Sequence, residues 1–244
     1  MLIWLAIAFF VIAFIYAAVG QAGASGYIAA MALLGFAPLA MKTTALSLNL
    51  LVAAIGTFHF FKAGRLSWRS VYPFAVLGFP FSLVGGAIQL PEHIYFPIVG
   101  GVLVLSAFQM ARSALSKRPA AVGAPTSPPF YAALATGALI GFVSGTTGTG
   151  GGVFLAPVIL AMNWGTPRQT AATTAVYNLI NSAAALMGAY IHWDQIPSAL
   201  PWWLVAVAVG GSLGALIGSR FLSDRWLRAI LSVLLLVSGL NLLW

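Results

Sequence analysis

Long apolar stretches separated by short polar connections run along the whole chain. They predict helices over residues 2–19, 27–36, 43–61, 71–90, 95–111, 130–143, 153–162, 170–190, 200–221 and 227–244. Several reach the roughly 17 to 25 residues that a helix needs to cross about 30 Å of hydrocarbon. No positive residue precedes the first stretch, so we interpret it as a retained membrane helix rather than a signal peptide. The pattern predicts an all-α integral membrane protein.

Two glycine-rich segments interrupt this pattern, and they resemble each other. Residues 20–26 read GQAGASG and residues 145–151 read GTTGTGG. Glycines release the backbone from a helix, and the freed N–H groups need a partner in hydrocarbon surroundings. If helices restart at Gly26 and Gly152, each directs its positive dipole end and free amides towards the protein centre. The segments therefore predict an anion site; the alternative is that the glycines only let helices pack closely.

The second half of the chain repeats the first. A shift of 132 residues pairs Gly78, Ser82 and Gly86 with Gly210, Gly214 and Gly218. A shift of 129 pairs Thr44 with Thr173 and Asn49 with Asn178. We predict two transmembrane repeats, residues 1–112 and 130–244, joined by a cytoplasmic linker over residues 113–129 that is rich in proline, alanine and glycine. The glycines that recur every fourth residue are interpreted as helix-packing positions.

The positive charges indicate how each repeat lies in the membrane. With four ordinary spans in each half, six Lys and Arg residues fall on one side and five on the other. If residues 2–36 and 130–162 are hairpins that enter and leave on one face, ten of the eleven fall inside and Lys42 alone falls outside. Each repeat is then a broken helical hairpin with a glycine-rich tip plus three transmembrane helices. The odd number of crossings makes the two repeats inverted.

The composition excludes the soluble classes of protein. Of the 244 residues, 61% are hydrophobic and only 6% are charged, against about 25% charged in a soluble domain. The net charge of +8 is scattered between apolar stretches, which is typical of topology determinants rather than of a nucleic-acid surface. Five tryptophans beside predicted segment ends are interpreted as an interfacial belt: Trp68, Trp193, Trp202, Trp203 and Trp226.

Polar side chains at and near the breaks form the predicted substrate site. Neutral donors and helix ends suit a small oxyanion, and no Lys or Arg is predicted at the midplane. The candidate substrate-binding residues are Gln21, Gly23, Ser25, Gly26, Thr44, Asn49, Thr146, Thr147, Gly148, Thr149, Gly150, Thr173 and Asn178. For the Thr and Asn residues inside spans, hydrogen bonding between helices without a ligand is an equally open interpretation. Because imidazole titrates near neutral pH, His59 and His192 are candidates for proton coupling, with an interfacial position as the alternative.

In these features the chain resembles the TauE/SafE sulfite exporters, also called the toluenesulfonate uptake permeases. The resemblance spans nearly the whole chain. It rests on both glycine-rich segments, on Ala-Thr-Thr-Ala at residues 172–175 and on Gly-Ala-Leu-Ile-Gly at residues 214–218. It implies a secondary transporter that moves a sulfur-containing anion such as sulfite, sulfoacetate or an aryl or alkyl sulfonate without ATP. The two breaks differ in their side chains, which implies unequal contributions to the site.

We expect a multi-pass protein of the bacterial inner membrane without enzymatic activity, cofactor or metal. A passive anion channel is the main alternative, because inverted hairpins also suit pores. A remote alternative is an intramembrane serine protease, since residues 23–26 match the GxSG sequence around the rhomboid nucleophile. The expected partners are the anion and the lipid bilayer. Protons as coupling ion and a homodimer are left open, and no nucleic acid is expected.

Overall fold

The structure, a computed structural model, describes residues 2–18, 20–115, 126–190, 197–218 and 224–244. Within these residues it contains ten α-helices and one π-helical turn. The first five helices are α1 (Leu2–Ala18), α2 (Ala24–Ala32), α3 (Pro38–Lys62), α4 (Trp68–Ala87) and α5 (Glu92–Leu115). The others are α6 (Phe130–Thr147), α7 (Gly152–Ala161), α8 (Pro167–Gly188), α9 (Leu200–Leu213), the π-helical turn Gly214–Gly218 and α10 (Asp224–Leu243). Each predicted apolar stretch corresponds to one of these helices, and most of the predicted linker lies outside the described residues.

The helices have the length and the surface of a membrane protein. Within the part of the chain that the structure describes, four helices are long and apolar enough to cross a bilayer: α3, α4, α6 and the Glu92–Arg112 part of α5. Large apolar side chains cover the outside, including Trp4 (75% exposed), Leu139 (67%) and Val205 (60%). Lipid tails are as apolar as these side chains, so there is no hydrophobic driving force to bury the side chains inside the protein. The predicted membrane-embedded, all-helical protein is confirmed.

Local sequence signals set several helix ends. α3 and α8 begin with Pro38 and Pro167, whose fixed φ suits the first turn of a helix. Thr166 and Gln169 form a capping box in front of α8. After α1, the Gln21 N–H donates to the Tyr16 carbonyl at 2.8 Å and so closes the last turn of the helix. The ends therefore follow from residues within one turn of the boundary.

Glycines bring α4 and α6 into backbone contact. A Cβ added at Gly141 or Gly145 on α6 would meet the backbone of Gly78 or Ser82 on α4. The contacts advance in step along both helices, so α4 and α6 run parallel. Small residues at such crossings let helices approach closely in lipid. The interpretation of Gly78 as a packing position is confirmed.

The same kind of crossing joins α1 to α9. A Cβ at Gly210 or Gly214 would meet the backbone of Phe10 or Phe14, so these two glycines are also packing positions. Since α1 and α6 open the two predicted repeats, and α9 and α4 hold equivalent places in them, the two crossings correspond. α5 and α10, the last helices of each half, pack on each other through glycines at 100 and 239.

The equivalent helices α3 and α8 run in opposite directions. Lys42, near the start of α3, contacts the end of α4. That end of α4 also meets the end of α8, where a Cβ at Gly86 would touch the backbone of Ala185. One turn earlier on each helix, Ser82 Oγ donates to the Asn181 carbonyl at 2.9 Å, so α4 and α8 run parallel. The start of α3 is therefore level with the end of α8.

The main core lies between α1, α2 and the helices that cover them. Phe9 packs edge-on against Tyr27 and Trp203, with ring centroids 5.4 and 5.3 Å apart. Trp203 is only 1% exposed, so its interpretation as part of an interfacial belt is wrong. Its neighbour Trp202, 76% exposed, stays a belt candidate, whereas Trp193 lies outside the described residues. Two adjacent residues of α9 thus differ in environment, since the side chain of Trp202 is exposed on the outside and that of Trp203 is buried in the core.

Candidate functional site

Both glycine-rich segments are breaks between helices, as predicted. The first break, which includes residues 20–23, separates α1 from α2, and the second break, residues 148–151, separates α6 from α7. The first helix restarts at Ala24, so the expected restart at Gly26 is wrong; the second restarts at Gly152, as predicted. Gly26 lies inside α2, where a Cβ would meet Ile12 and Tyr16 of α1. Its role is packing of the hairpin rather than release of the backbone.

An asparagine caps the helix that follows each break. Asn49 Oδ1 accepts a hydrogen bond from the Ala24 N–H at 3.0 Å. Asn178 Oδ1 accepts one from the Gly152 N–H at 2.9 Å. Ala24 and Gly152 are the first residues of α2 and α7, and each asparagine is the twelfth residue of its own helix. The pair that the 129-residue shift brought together thus makes the same contact in both halves, close to the middle of α3 and α8.

Gly150 brings these two asparagines to one place. Its φ is 77°, a left-handed conformation that favours glycine. A Cβ at this position would meet Asn49 Nδ2 and would lie 2.9 Å from Asn178 Oδ1. Asn49 Nδ2 also donates to Ser182 Oγ on α8 at 2.8 Å, a contact of Ser182 that the sequence analysis missed. The second break therefore lies directly against both capping side chains.

Within the described residues, two backbone amides at the start of α2 have no hydrogen-bond partner. An α-helix leaves its first N–H groups without intrahelical acceptors. Asn49 Oδ1 accepts from the Ala24 N–H. The N–H groups of Ser25 and Gly26 have no hydrogen-bond partner within the described residues. At the second break Phe154 N–H already bonds the Gly151 carbonyl at 3.1 Å. Within the first three residues of each helix, α2 therefore keeps two N–H groups without a partner among the described residues, whereas α7 keeps one.

Most of the predicted hydroxyl donors are already used. Ser25 Oγ shares a hydrogen bond with the Tyr16 hydroxyl at 2.8 Å. Thr146 and Thr147 donate to carbonyls four residues earlier in α6, at 2.8 and 2.7 Å. Thr147 and Thr149 hydroxyls lie 3.0 Å apart in a further hydrogen bond. In these four residues the hydroxyls are therefore accounted for by hydrogen bonds to neighbouring groups of the protein.

The other predicted residues are buried or lie in the breaks. Thr44 is fully buried, and its Oγ1 has no hydrogen-bond partner among the described residues. The same holds for Gln21 Oε1 in the first break. Thr173, the counterpart of Thr44, is 5% exposed. The remaining predicted glycines, Gly23 and Gly148, lie in the breaks at φ 96° and 85°.

A cavity of about 300 Å³ opens beside the first break. Gln21 and Ala22 of the break, Gly56 and His59 of α3, and Arg65 are among its lining residues. His59 is ten residues beyond Asn49, which corresponds to about 15 Å along the helix. It is exposed, so it lies at the rim of the cavity and away from the asparagine pair. The other proton-coupling candidate, His192, lies outside the described residues.

Lys42 is a second residue that was not predicted from the sequence to lie at the site. It is 3% exposed, and its Nζ donates to the carbonyls of Gly85, Gly86 and Ile88 at 3.0, 2.8 and 2.9 Å. These carbonyls end α4, where a cation is stabilised by the helix dipole. A Cβ at Gly148 would lie 3.0 Å from Lys42 Cα, so the second break rests on this residue. The signal was present, since Lys42 was the one positive residue on the wrong side of the predicted topology.

The two breaks and the helices behind them present polar groups that suit hydrogen bonding to a ligand. Among the described residues no group of three or more His, Cys, Asp and Glu side chains is placed to hold a metal. The site offers helix ends, amides and hydroxyls near the middle of long apolar helices. Such groups bind a ligand through hydrogen bonds without covalent chemistry.

Comparisons with known proteins agree with a transporter. The profile of the family described as "Sulfite exporter TauE/SafE" matches residues 5–242. A relative from Sinorhizobium fredii, "Probable membrane transporter protein y4hK", is 70% identical over 242 residues, which cover 99% of this chain and 98% of the relative. "Probable membrane transporter protein MJ0441" from Methanocaldococcus jannaschii is 26% identical over 216 residues, 82% of this chain and 77% of its own. No solved structure matches. The chain is thus a membrane transporter and belongs to the sulfite exporter TauE/SafE family.

Proposed function

We propose that this protein is a secondary permease for a sulfur-containing anion such as sulfite, sulfoacetate or an aryl or alkyl sulfonate. The anion binds near the middle of the bilayer, between the two breaks. The observation that carries the proposal is the matched pair of asparagine-capped helix starts, Asn49 on Ala24 and Asn178 on Gly152, with Gly150 between them. Helix starts with free amides stabilise anions without a positive side chain.

The two halves form inverted repeats in this proposal. The opposite directions of α3 and α8, and the corresponding crossings of α1 with α9 and of α6 with α4, support it. The short hairpin arms α2 and α7 have 9 and 10 residues, about 13 to 15 Å of helix, which is half of the hydrocarbon thickness. The positive charges then face the cytoplasm of a bacterial inner membrane. Lys42 no longer conflicts with this orientation, because it is buried against α4 instead of lying in a loop.

A carrier fits the site better than a channel. Among the described residues that line the cavity, Gly20, Gln21 and Ala22 belong to the first break and none belongs to the second. The second break is buried against Lys42 and Asn178. A channel needs a continuous path past both breaks, whereas a carrier opens to one side at a time. One-sided access supports alternating access around the asparagine pair.

A serine protease does not fit. A serine nucleophile needs a base within hydrogen-bond reach, and the partner of Ser25 Oγ is the Tyr16 hydroxyl at 2.8 Å. Ser25 itself is 1% exposed. The GxSG match is therefore a helix start packed on α1, and the naming of the relatives as transporters supports a protein that is not an enzyme.

The substrate class is tested by a thermal-shift screen on purified protein in detergent. The ligands are sulfite, sulfate, sulfoacetate, taurine and toluenesulfonate, with acetate and benzoate as matched carboxylates. A ligand at about 100 times its Kd stabilises the folded state by roughly 2.7 kcal/mol. We expect stabilisation by sulfite or sulfonates only. Equal stabilisation by the carboxylates, or none by any of these anions, contradicts the proposed substrate class.

Transport itself separates the carrier from the channel. Proteoliposomes preloaded with unlabelled substrate accumulate labelled substrate transiently if a carrier exchanges one for the other. A channel gives no such counterflow, and its flux does not saturate at the Kd measured by thermal shift. The absence of counterflow with a solute that binds contradicts the carrier.

A further inference from the structure

The cavity beside the first break is apolar along its walls and polar at its two ends. Small and apolar residues such as Val52 and Gly56 form the wall on α3. At the inner end lies Gln21, whose Oε1 is buried without a hydrogen-bond partner among the described residues. At the other end lie His59 and Arg65, both exposed. Among the described residues that line the cavity, Arg65 is the one with a permanent charge, and none is a carboxylate.

We infer that this cavity is an entrance vestibule for oxyanions, in which Arg65 attracts a sulfonate- or sulfite-type group and delivers it to the first break. The inference rests on the proposed function, because it supplies the route by which the anion reaches the asparagine pair. It assigns a substrate-contacting role to a residue that lies outside the central site. Arg65 follows the end of α3, on the side that the positive charges place in the cytoplasm.

The local structure holds Arg65 at the rim. Gly64 takes φ 63° and ends α3 with a glycine cap, and the Arg65 N–H donates to the Phe60 carbonyl at 3.1 Å. The chain therefore turns at the mouth of the cavity. This turn fixes the backbone position from which the Arg65 side chain extends. A guanidinium presents a planar fork of donors that matches the oxygens of a sulfonate or sulfite.

The apolar walls strengthen this attraction. A cleft with low-dielectric walls and one sign of charge concentrates the field and raises the local concentration of counter-ions. Since the described part of the wall offers no competing carboxylate, the next groups that an entering anion meets are those of the first break. There Gly20, Gln21 and Ala22 line the cavity. The vestibule thus leads from one positive charge to the first break.

The absence of cysteine from the chain permits a direct test. Gly56→Cys places a single thiol in the wall, where a Cβ has no neighbour nearer than Ala175 Cβ at 4.0 Å. The thiol is treated with two methanethiosulfonates of similar size, one bearing an ethylsulfonate and one an ethyltrimethylammonium group. The ratio of their rates reports the sign of the local potential. We expect Arg65→Gln to lower the anion-to-cation ratio by about five-fold or more, the effect of one nearby charge at intermediate dielectric.

Arg69→Gln is the matched control. Arg69 is exposed at the start of α4 on the same side of the protein, but it does not line the cavity. The inference is supported if only Arg65→Gln changes the ratio. It is overturned if both substitutions change it equally, since the effect is then that of the whole surface. It is also overturned if the thiol introduced by Gly56→Cys reacts with neither reagent in folded protein but with both after denaturation.

A second reporter protects the test against a local defect. Ala63→Cys places the thiol at the exposed end of the cavity, and the same pattern is expected there. The assay uses no transported solute, so its outcome is independent of the thermal-shift screen. If Arg65→Gln lowers the rate ratio as expected but no sulfur anion stabilises the protein in the thermal-shift screen, the vestibule is supported and the proposed substrate class is contradicted. If sulfur anions stabilise the protein but Arg65→Gln leaves the rate ratio unchanged, the proposed function is supported and the role of Arg65 is contradicted.

Discussion

The cation of Lys42 holds the end of α4 in place, and its removal has a calculable cost. Lys42→Met keeps the unbranched side chain up to the position of Cε and removes the ammonium that donates to Gly85, Gly86 and Ile88. The Gly85 carbonyl retains the Ile88 N–H as a donor at 3.3 Å. The other two carbonyls lose the donor that Lys42 supplied. The substitution therefore leaves two helix-end carbonyls unsatisfied in an apolar environment.

An unsatisfied buried carbonyl costs about 1 to 3 kcal/mol. Gly86 is buried and Ile88 is half-buried, so we assign about 2 kcal/mol to the first and about 1 kcal/mol to the second. The favourable charge-dipole interaction at the end of α4 disappears as well, while the cost of desolvating the ammonium is recovered. Because these two terms oppose each other, we expect a loss of about 3 kcal/mol in the free energy of unfolding. At roughly 2 to 4 °C per kcal/mol for a chain of this length, Tm falls by about 6 to 12 °C.

The assay is thermal unfolding of purified protein in detergent, followed by the fluorescence of the eight tryptophans. Lys62→Met is the control, because it makes the same chemical change at the other end of α3. Lys62 is exposed, and its Nζ lies 4.6 Å from the centroid of the Phe58 ring, a contact that contributes about 0.5 to 1 kcal/mol. If Lys42→Met unfolds within about 2 °C of the control, the three hydrogen bonds do not stabilise the fold and the reasoning is refuted.

Four further substitutions test the site and the packing. Gly150→Ala forces a side chain into a left-handed conformation against Asn49 and Asn178, so we expect a loss of at least about 2 kcal/mol in unfolding free energy and no transport; wild-type uptake in proteoliposomes contradicts this. Asn178→Asp keeps the acceptor for Gly152 but adds a negative charge, and the ligand-induced rise in Tm should vanish; an unchanged rise removes Asn178 from the anion site. Gly141→Leu puts a side chain into the Gly78 backbone of α4, and size-exclusion chromatography should find no folded protein; a normal yield would mean that this crossing is loose. If His59 couples protons, His59→Gln leaves uptake unresponsive to an imposed pH gradient, whereas an unchanged response assigns His59 to the interface only.

The contacts of the two asparagines alter what their removal means. From sequence, Asn49→Ala and Asn178→Ala are predicted to abolish transport while leaving the fold nearly intact. In the structure Asn49 accepts from Ala24 and donates to Ser182, so its truncation also removes structural hydrogen bonds. A loss of about 1 to 3 kcal/mol in unfolding free energy accompanies any loss of transport. Asn178→Asp is the cleaner variant, because it keeps the cap of α7.

Much of the candidate site was predictable because its logic is local or repeated. The two breaks are visible in the sequence as clusters of glycines, several of which have positive φ in the structure. The 129-residue shift pairs Asn49 with Asn178. Gly26 was misassigned because a glycine that frees the backbone and a glycine that admits a neighbouring ring look the same in sequence. The side chains of Ile12 and Tyr16, which occupy that space, are ten or more residues away.

The class of protein, the helices and the location of the breaks could all be read from the chain alone. In lipid every backbone group needs an internal partner, so a continuous apolar stretch of about 20 residues predicts a helix, and glycine clusters predict where the helix stops. Which polar groups are already bonded, and which stay available to a ligand, depended on how the helices pack together. Asn49 and Ser182 bond across 133 residues, and Lys42 bonds carbonyls more than 40 residues away. Such partners are selected by the packing of whole helices, and no single stretch of the chain encodes that packing.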